Sequence, residues 1–392
     1  MIHKSLIDYM NQELRHTPTG FRRYMWDKIL WDERLVGLVG PRGVGKSTMV
    51  KQYMLTMADR NEWLYVSADH SYFVSHSLAD LAADFVREGG KHLVVDEIHK
   101  YQGWSRELKQ IYDGLPSLKL IFTGSSVLDI KKGFSDLSRR ALMFEIQGLS
   151  FREYLALFHG MNLPILSIDD ILANKFELPA DMHPIPLMRE YLKCGYYPFA
   201  KEAGFLIRMQ QVIAQTLEVD IPQYAGMNVS TANKLKKMMA VISSLAPYKP
   251  NNSNLAAELK VSKNDVPDYL FYLEKAGMIG QLRDDTGGMR GLGKVEKVYI
   301  DNPNLMYALS ASGTPDIGNM RETFFYNQVR VVSDVRASKI SDFRIAGHTF
   351  EIGGRNKTRR QFRDADDGFV VKDDIEFGFA KTLPLWIFGL LY

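Results

Sequence analysis

The sequence predicts an α/β fold built on a parallel sheet in its first third, followed by helical, helix-turn-helix and α+β regions. Two observations support this prediction. Short apolar runs alternate with helical stretches over residues 35–146, and a glycine-rich turn joins the first apolar run to the first helix. Strands that alternate with helices form βαβ units, in which a parallel sheet is covered on both faces.

The N-terminal region is predicted to contain five strands joined largely by helices. The strands are expected at residues 34–39, 63–66, 92–96, 118–122 and 141–146, and the helices at residues 46–58, 77–87 and 104–112. In the second helix apolar residues recur at helical spacing, which is typical of a helix that covers a sheet with one face.

The glycine-rich turn has the spacing of a phosphate-binding loop. Residues 40–47 read Gly-Pro-Arg-Gly-Val-Gly-Lys-Ser and fit the P-loop pattern GxxxxGK[ST] between a strand and a helix. Glycines let backbone N–H groups approach phosphates, and the helix N-terminus attracts anions. Lys46 is expected to contact the β- and γ-phosphates, and Ser47 to bind Mg²⁺. The predicted ATP-binding residues are Gly40, Arg42, Gly43, Val44, Gly45, Lys46, Ser47 and Thr48.

Two carboxylates, Asp96 and Glu97, follow the third predicted strand. A carboxylate at the end of a buried strand is costly unless it meets a cation or hydrogen-bond donors. Asp96 is expected to hold Mg²⁺ through the water shell of the ion, and Glu97 to polarise the attacking water. Because ligands bind at the carboxyl edge of a parallel sheet, these carboxylates and the glycine-rich turn are expected to meet there.

Two later segments offer further candidates for the same site. Residues 122–126 end the fourth strand with Phe-Thr-Gly-Ser-Ser; Ser125 is the preferred sensor of the γ-phosphate, and Ser126 fits a helix N-cap equally well. Arg139 and Arg140 precede the fifth strand, where an arginine is able to stabilise transition-state charge within the chain or across a subunit boundary. A surface pair of arginines is the alternative interpretation.

The strand pattern stops after Gly148, and residues 149–228 are predicted to form a small helical lid. Residues 229–312 show a helix, a short turn, a second helix and a glycine-rich hairpin, which is the pattern of a winged helix-turn-helix. This region either contacts DNA or serves as a packing module. Residues 313–392 begin with a helix and continue with short strands, including a buried terminal strand at 385–391, and predict an α+β domain.

Composition limits the class of protein. A length of 392 residues predicts two or three domains, and 46% hydrophobic with 24% charged residues excludes a disordered or fibrous chain. The net charge of +3 is too small to indicate a nucleic-acid partner by itself. The single cysteine, Cys194, excludes an intrachain disulfide framework and a Cys-rich zinc site. Without a secretory signal or a long apolar run, we expect a cytoplasmic protein that has no membrane partner.

Several motifs occur in an order that carries a resemblance to a known family. They are the P-loop, Asp96-Glu97-Ile98-His99-Lys100, residues 122–126, Leu137-Ser138-Arg139-Arg140, Leu149-Ser150-Phe151-Arg152-Glu153-Tyr154, Gly195-Tyr196-Tyr197-Pro198, Arg321-Glu322-Thr323-Phe324-Phe325 and Phe350-Glu351-Ile352-Gly353-Gly354. Together they resemble the AAA+-like ATPases of bacteria and archaea that carry a C-terminal domain of unknown function. The resemblance implies a P-loop core at 1–148, a helical lid at 149–228, a winged helix at 229–312 and a restriction-endonuclease-like domain at 313–392.

The same resemblance implies roles for individual residues. Lys46 and Ser47 correspond to the phosphate and magnesium residues, Asp96 and Glu97 to the second acidic motif, Ser125 to the polar sensor and Arg140 to the arginine after the sensor strand. The family more often has glycine before that arginine, where this chain has Arg139, so both arginines are candidates.

A nuclease of the restriction-endonuclease fold needs an Asp, and a Glu-x-Lys on the neighbouring strand. The sequence offers Asp342, Glu351 and, on the preceding helix, Glu322, but the lysine position is Gly353. Lys357 or Arg355 would have to reach back, so nuclease activity is doubtful. Residues 339–363 contain seven basic and two acidic residues, a strip that suits either a phosphate backbone or a solvated face beside the acidic residues Asp364, Asp366 and Asp367.

These observations predict an ATP-hydrolysing enzyme of the AAA+ type that uses Mg²⁺. DNA and a protein are its possible partners, and the chain is able to form an oligomer. The alternatives are a slow, nucleotide-gated interaction switch and a phosphotransferase that acts on a small molecule. The Asp96–Glu97 pair and the large C-terminal half weigh against the phosphotransferase.

Overall fold

A computed structural model describes residues 2–124, 137, 139–227, 229–286, 293–310, 313–358 and 367–392. The chain divides into two compact units, residues 1–147 and residues 148–392. None of the helices in the described ranges is both long and apolar enough to cross a membrane.

The N-terminal unit is built on a five-stranded sheet in the order β2-β3-β4-β1-β5. Every neighbouring pair of strands is parallel, which confirms the predicted α/β sheet. The strands are β1 (Leu35–Val39), β2 (Trp63–Ser67), β3 (His92–Asp96), β4 (Lys119–Gly124) and β5 (Leu142–Glu145). All five residues of β1 are buried, as expected for a central strand covered on both faces.

In the described part of this unit the helices that accompany the sheet are α1 (Lys4–Arg15), α2 (Lys46–Leu55), α3 (Leu78–Arg87) and α4 (Trp104–Gly114). Helix α3 begins at the N-cap Ser77, whose side chain accepts a hydrogen bond from the Asp80 N–H, and it buries one apolar face. Helix α1 was not predicted. It packs beside β2, where the Tyr65 N–H donates to the Met10 sulfur at 3.3 Å.

The second unit begins with helices and continues into a second sheet. Its helices are α5 (Phe151–His159), α6 (Ile168–Leu172), α7 (Pro184–Glu190), α8 (Phe205–Gln215), α9 (Ile221–Ala225), α10 (Val229–Leu245), α11 (Asn252–Leu259), α12 (Val266–Lys275), α13 (Pro303–Leu309) and α14 (Ile317–Val329). Short π-helical segments, Tyr191–Gly195 and Thr216–Asp220, follow α7 and α8.

The second sheet has seven strands in the order β12-β11-β10-β9-β8-β6-β7. They are β6 (Ile279–Arg283), β7 (Val295–Ile300), β8 (Arg336–Ala337), β9 (Phe343–Ile345), β10 (His348–Gly353), β11 (Gly368–Lys372) and β12 (Thr382–Pro384). Pairing is mixed, with β6–β7 antiparallel and β10–β11 parallel. The hairpin predicted as a wing therefore lies in one sheet with the C-terminal strands, joined to them through β8. The winged-helix assignment stays a prediction.

The predicted terminal strand at 385–391 is wrong. Residues Leu385–Leu390 form a 3-10 helix, all six of them buried, after the short strand β12 ends at Pro384. A continuous apolar run without alternation does not distinguish a buried strand from a buried helix.

Candidate functional site

The loop between β1 and α2 has the backbone that a phosphate-binding turn requires. Gly43 and Gly45 have φ angles of 78° and 94°, a left-handed conformation that favours glycine. A Cβ on Gly40 would lie 2.1 Å from the Ile146 carbonyl oxygen, so no larger residue fits there. The loop thus opens α2 at Lys46 in the strand–loop–helix context that the motif predicted.

Lys46 is buried inside this loop. Its Nζ donates hydrogen bonds to the Gly40 carbonyl at 2.9 Å and to the Pro41 carbonyl at 2.7 Å. Burial lowers the pKa of Lys46 to about 8, because desolvation disfavours the ammonium form more than the nearby carboxylates of Glu97 and Asp96 favour it. The described partners of the Lys46 ammonium are thus two backbone carbonyls of the loop itself.

We expect ATP affinity to fall as the pH rises above about 8. A lysine attracts phosphates only in its ammonium form, so we expect binding above the pKa of the free protein to require uptake of a proton by Lys46. The affinity then decreases by up to about tenfold per pH unit. Calorimetry between about pH 7 and pH 9, in buffers of different ionisation enthalpy, measures both the affinity and the proton uptake. An ATP affinity that stays constant over this pH range, with no proton uptake on binding, would contradict this prediction.

Asp96 lies at the carboxyl end of β3 and is buried. Its Oδ1 accepts hydrogen bonds from the Ser47 hydroxyl at 2.8 Å and from the Thr123 hydroxyl, and its Oδ2 accepts one from the Tyr65 hydroxyl at 2.6 Å. These donors come from α2, β4 and β2. The structure thus brings the P-loop serine and the first carboxylate together at one edge of the sheet.

Glu97 follows with a left-handed backbone (φ 52°), which turns the chain away from β3. Its N–H donates to the Thr123 hydroxyl at 3.3 Å. Its Oε2 lies 3.4 Å from Nε2 of the buried His99 and 4.0 Å from Nη1 of Arg42. The Glu97 carboxylate therefore lies beside the P-loop, between Arg42 of that loop and His99 of the turn that follows β3.

The chemistry of the Ser47–Asp96 pair fits Mg²⁺. A hydroxyl and a carboxylate oxygen 2.8 Å apart are both hard oxygen donors, the type that Mg²⁺ prefers. Magnesium commonly takes one or two protein ligands together with waters and substrate phosphates. Ser47 and Asp96 are the residues that would hold the ion beside a nucleotide.

The structure describes only one of the two other predicted site positions. Ser125 and the alternative Ser126 lie outside the described residues. Arg140 makes a two-point ion pair with Asp113, with Nε to Oδ1 and Nη2 to Oδ2 both at 2.9 Å. It precedes β5, whose first residue Leu142 pairs with Val36, near the start of β1, whereas the P-loop follows the end of β1. Arg140 is thus at the opposite edge of the sheet from the P-loop of its own chain, and Arg139 next to it is exposed.

Sequence reasoning missed Arg23, Tyr65 and Thr123, and also His99 beside Glu97. Arg23 is buried and donates to the Val44 carbonyl in the P-loop and to the Gln147 carbonyl at 2.7 Å. Tyr65 and Thr123 contact Asp96 as described above. Thr123 carried a signal, since a hydroxyl at the end of the strand adjacent to β3 is expected near the end of β3. Arg23 carried none, because it lies in an irregular segment before the sheet.

The C-terminal sheet gathers the residues considered for a nuclease. Lys297 lies 3.0 Å from both Glu322 and Asp342, and Lys357 lies 2.5 Å from Glu351. A Cβ on Gly353 would meet the Lys357 side chain at 2.6–2.8 Å, so Lys357 occupies the space over the position where a nuclease has its lysine. Burial raises the pKa of Glu322 and of Glu351.

These C-terminal side chains form ion pairs with one another. In the described part of the chain, no group of three or more His, Cys, Asp or Glu side chains is placed to hold a metal ion. This network of two lysines and three carboxylates links α14 to the sheet.

Some of the basic residues proposed to contact nucleic acid pair with acidic side chains of this chain, and others lie outside the described residues. In the basic strip, Lys357 pairs with Glu351 and Arg344 lies 3.7 Å from Asp285, while Arg359, Arg360 and Arg363 are outside the described ranges. The second helix of the predicted helix-turn-helix, α12, exposes Pro267, Asp268 and Phe271. An acidic and apolar surface of this kind does not favour contact with phosphates.

Comparison with known proteins supports an AAA+-like ATPase. Residues 32–155 match a family model described as an AAA domain, and residues 185–316 match a domain of unknown function, DUF8612. The first match contains the P-loop and both carboxylates. The second covers part of the predicted lid, the whole range of the predicted winged helix and only residues 313–316 of the predicted restriction-endonuclease-like domain. That part of the resemblance stays a prediction.

Individual relatives are distant. Uncharacterized protein MJ1637 of Methanocaldococcus jannaschii is 26% identical over 310 residues, which are 70% of this chain and 65% of that protein. Among solved structures, the Walker-type ATPase PABY2304 of Pyrococcus abyssi is 15% identical with a TM-score of 0.45, covering 76% of this chain and 99% of that one. AMPPCP-bound DnaA from Aquifex aeolicus is 11% identical with a TM-score of 0.25, covering 70% of this chain and 90% of that one.

Proposed function

We propose that this protein binds Mg²⁺-ATP at residues 40–48 and hydrolyses it. The observation that carries this proposal is the meeting of four predicted residues at one edge of the parallel sheet. Lys46 lies in the loop, Ser47 donates to Asp96 at 2.8 Å, and Glu97 follows directly with Arg42 of the loop 4.0 Å away.

Each residue has a role that follows from its position. The backbone N–H groups of residues 43–47 and the start of α2 bind the phosphates, and the Lys46 ammonium neutralises their charge. Bound Mg²⁺, held by Ser47 and Asp96, would neutralise developing charge on the phosphate oxygens. Glu97 orients the attacking water and accepts its proton. His99 and Arg42 hold the Glu97 carboxylate beside the loop.

Arg140 does not reach a nucleotide bound to its own chain, because it lies at the other edge of the sheet with Asp113. We therefore propose that Arg140 acts on the nucleotide bound by a neighbouring copy of the chain. Turnover per chain then rises with protein concentration, because the neighbour supplies the arginine.

The test combines binding with turnover. Calorimetry with Mg²⁺-ATP and Mg²⁺-ADP is expected to show saturable binding, and phosphate release is measured over a range of protein concentrations with and without DNA. Failure to bind either nucleotide in the presence of Mg²⁺ would overturn the proposal. A gel-shift titration without salt-sensitive binding would remove DNA as a partner.

A slow nucleotide-gated switch is the second candidate. Two observations favour it. The Glu97 carboxylate, which is the proposed general base, lies beside two protein groups, His99 and Arg42. Arg140 pairs with Asp113, away from the P-loop of its own chain. On this proposal the chain binds ATP tightly, turns over slowly and recruits a protein partner. The turnover of Glu97→Gln relative to the native protein separates the two functions.

The domain boundaries and their functions are also part of the proposal. We assign a P-loop core to residues 1–148, a helical lid to 149–228, a winged helix to 229–312 and a degenerate nuclease-like domain to 313–392. Helices α11 and α12 and the hairpin β6–β7 support the winged-helix assignment, while the sheet shared with β8–β12 ties that hairpin to the last domain.

A further inference from the structure

The Asp96 carboxylate is held from both oxygens by hydroxyl groups on three different elements. Ser47 and Thr123 donate to Oδ1, and the Tyr65 hydroxyl donates to Oδ2 at 2.6 Å. The P-loop mechanism uses Ser47 and Asp96, and it leaves Tyr65 without a role. A buried tyrosine whose hydroxyl reaches a proposed magnesium residue is therefore the feature to explain.

Tyr65 reaches Asp96 from the neighbouring strand. In the register of β2 with β3, Ser67 lies opposite Asp96 and Tyr65 lies opposite Val94. Side chains two residues apart on a strand share a face, so Tyr65 and Ser67 lie on the same face of β2. A tyrosine side chain is long enough to extend from this position along the strand to the Asp96 carboxylate.

The Tyr65 ring is itself held in place. It is 1% exposed, and it stacks on Tyr9 of α1 with ring centroids 6.1 Å apart and an interplanar angle of 21°. The backbone N–H of Tyr65 donates to the Met10 sulfur on the same helix. Helix α1 and strand β2 thus position the phenol, and the phenol in turn contacts the carboxylate.

We infer that Tyr65 is a positioning residue for the magnesium site, an inference that rests on the proposed function. Its hydroxyl anchors Oδ2 and so sets the rotation of the Asp96 carboxylate. That rotation directs Oδ1 toward Ser47, the second residue that would hold the ion. The terminal torsion of an aspartate is broad, so a carboxylate that is anchored through Oδ1 alone samples a wider range of orientations. Removing a residue that hydrogen-bonds to a metal ligand, without binding the metal itself, typically lowers metal affinity by about 10- to 100-fold.

The test is the Mg²⁺ requirement of nucleotide binding in Tyr65→Phe, which removes one oxygen atom and keeps the ring and its packing. ADP binding is measured by calorimetry at increasing Mg²⁺ concentrations and again in EDTA. We expect the variant to need about 10-fold more Mg²⁺ for half-maximal binding. Its ADP affinity in EDTA is expected to equal that of the native protein, because the P-loop itself is unchanged.

Tyr101→Phe is the matched control. The Tyr101 hydroxyl also donates to a carboxylate, Glu107 Oε1 at 2.8 Å, in the same unit but on a different acidic residue. Its loss is expected to leave the Mg²⁺ requirement unchanged. A double-mutant cycle with Asp96→Asn adds a second test, since Tyr65→Phe has no further effect on the Mg²⁺ requirement if Tyr65 acts through Asp96.

The outcomes separate this inference from the proposed function. If the native protein binds no nucleotide with Mg²⁺, the proposed function fails. If the native protein binds Mg²⁺-ADP and Tyr65→Phe has the same Mg²⁺ requirement, the inference alone is overturned. Equal weakening of binding with Mg²⁺ and in EDTA also overturns it, because a structural role of Tyr65 would then explain the loss.

Discussion

Replacing Lys46 by alanine is expected to weaken ATP binding by about 10- to 100-fold and to remove measurable hydrolysis. A hydrogen bond to a charged group contributes about 1.5–3 kcal/mol, and about 1.4 kcal/mol corresponds to a tenfold change in affinity. Lys46 is placed to make such bonds to phosphate oxygens, because its ammonium already lies inside the loop and contacts the Gly40 and Pro41 carbonyls. Calorimetric titration with Mg²⁺-ATP measures the affinity, and phosphate release measures turnover.

The fold of Lys46→Ala is expected to remain intact. Burial of the ammonium is unfavourable, as the lowered pKa of Lys46 shows, so its removal relieves a desolvation cost. The melting temperature, followed by circular dichroism, is therefore expected to stay level or to rise. This separates a loss of nucleotide contacts from a loss of structure.

The control is Lys91→Ala, which removes a lysine paired with Glu62 just before β3, at the sheet edge opposite the P-loop. ATP affinity is expected to be unchanged in this variant. If Lys46→Ala binds ATP as tightly as the native protein, the P-loop assignment is wrong, and with it the proposed function.

The N-terminal sheet was predictable because its signals are local. Each buried strand is a short apolar run bounded by polar turns, and the P-loop pattern specifies a strand before it and a helix after it. Parallel strands place their carboxyl ends at one edge of the sheet, so the topology alone predicts that Ser47 lies near Asp96.

The partners of those residues were not predictable in the same way. Tyr65 contacts Asp96 because of the register between two strands, and Arg23 contacts Val44 from an irregular segment that carries no periodic pattern. Such contacts depend on tertiary packing, and a single sequence records them only as ordinary polar or aromatic residues.

The sheet of the second unit shows the same limit on a larger scale. The strands predicted in separate winged-helix and C-terminal regions pair in one seven-stranded sheet through the two-residue strand β8, Arg336–Ala337. A strand this short leaves no detectable alternation in the sequence. Domain division by sequence pattern therefore did not reveal that these regions share hydrogen bonds.

Glu97→Gln is expected to retain ATP binding and to lower turnover by about 100- to 10,000-fold, the usual contribution of a general base. The amide preserves the shape of the side chain, so it is expected to keep its place beside His99 and Arg42, whose nitrogens lie 3.4 Å and 4.0 Å from the native carboxylate. It does not accept a proton from water at neutral pH. Binding and phosphate release are measured on the same preparation, so that a loss of turnover is not confused with a loss of affinity.

Glu62→Gln, which affects only the ion pair with Lys91 at the distant sheet edge, provides the matched control and is expected to turn over at the native rate. Native-like turnover in Glu97→Gln would mean that another group activates the water. Equally slow turnover in the native protein and in Glu97→Gln, with tight ATP binding in both, would favour the nucleotide-gated switch over the ATPase. In that case the contacts of Glu97 with His99 and Arg42 would hold the carboxylate away from the attacking water.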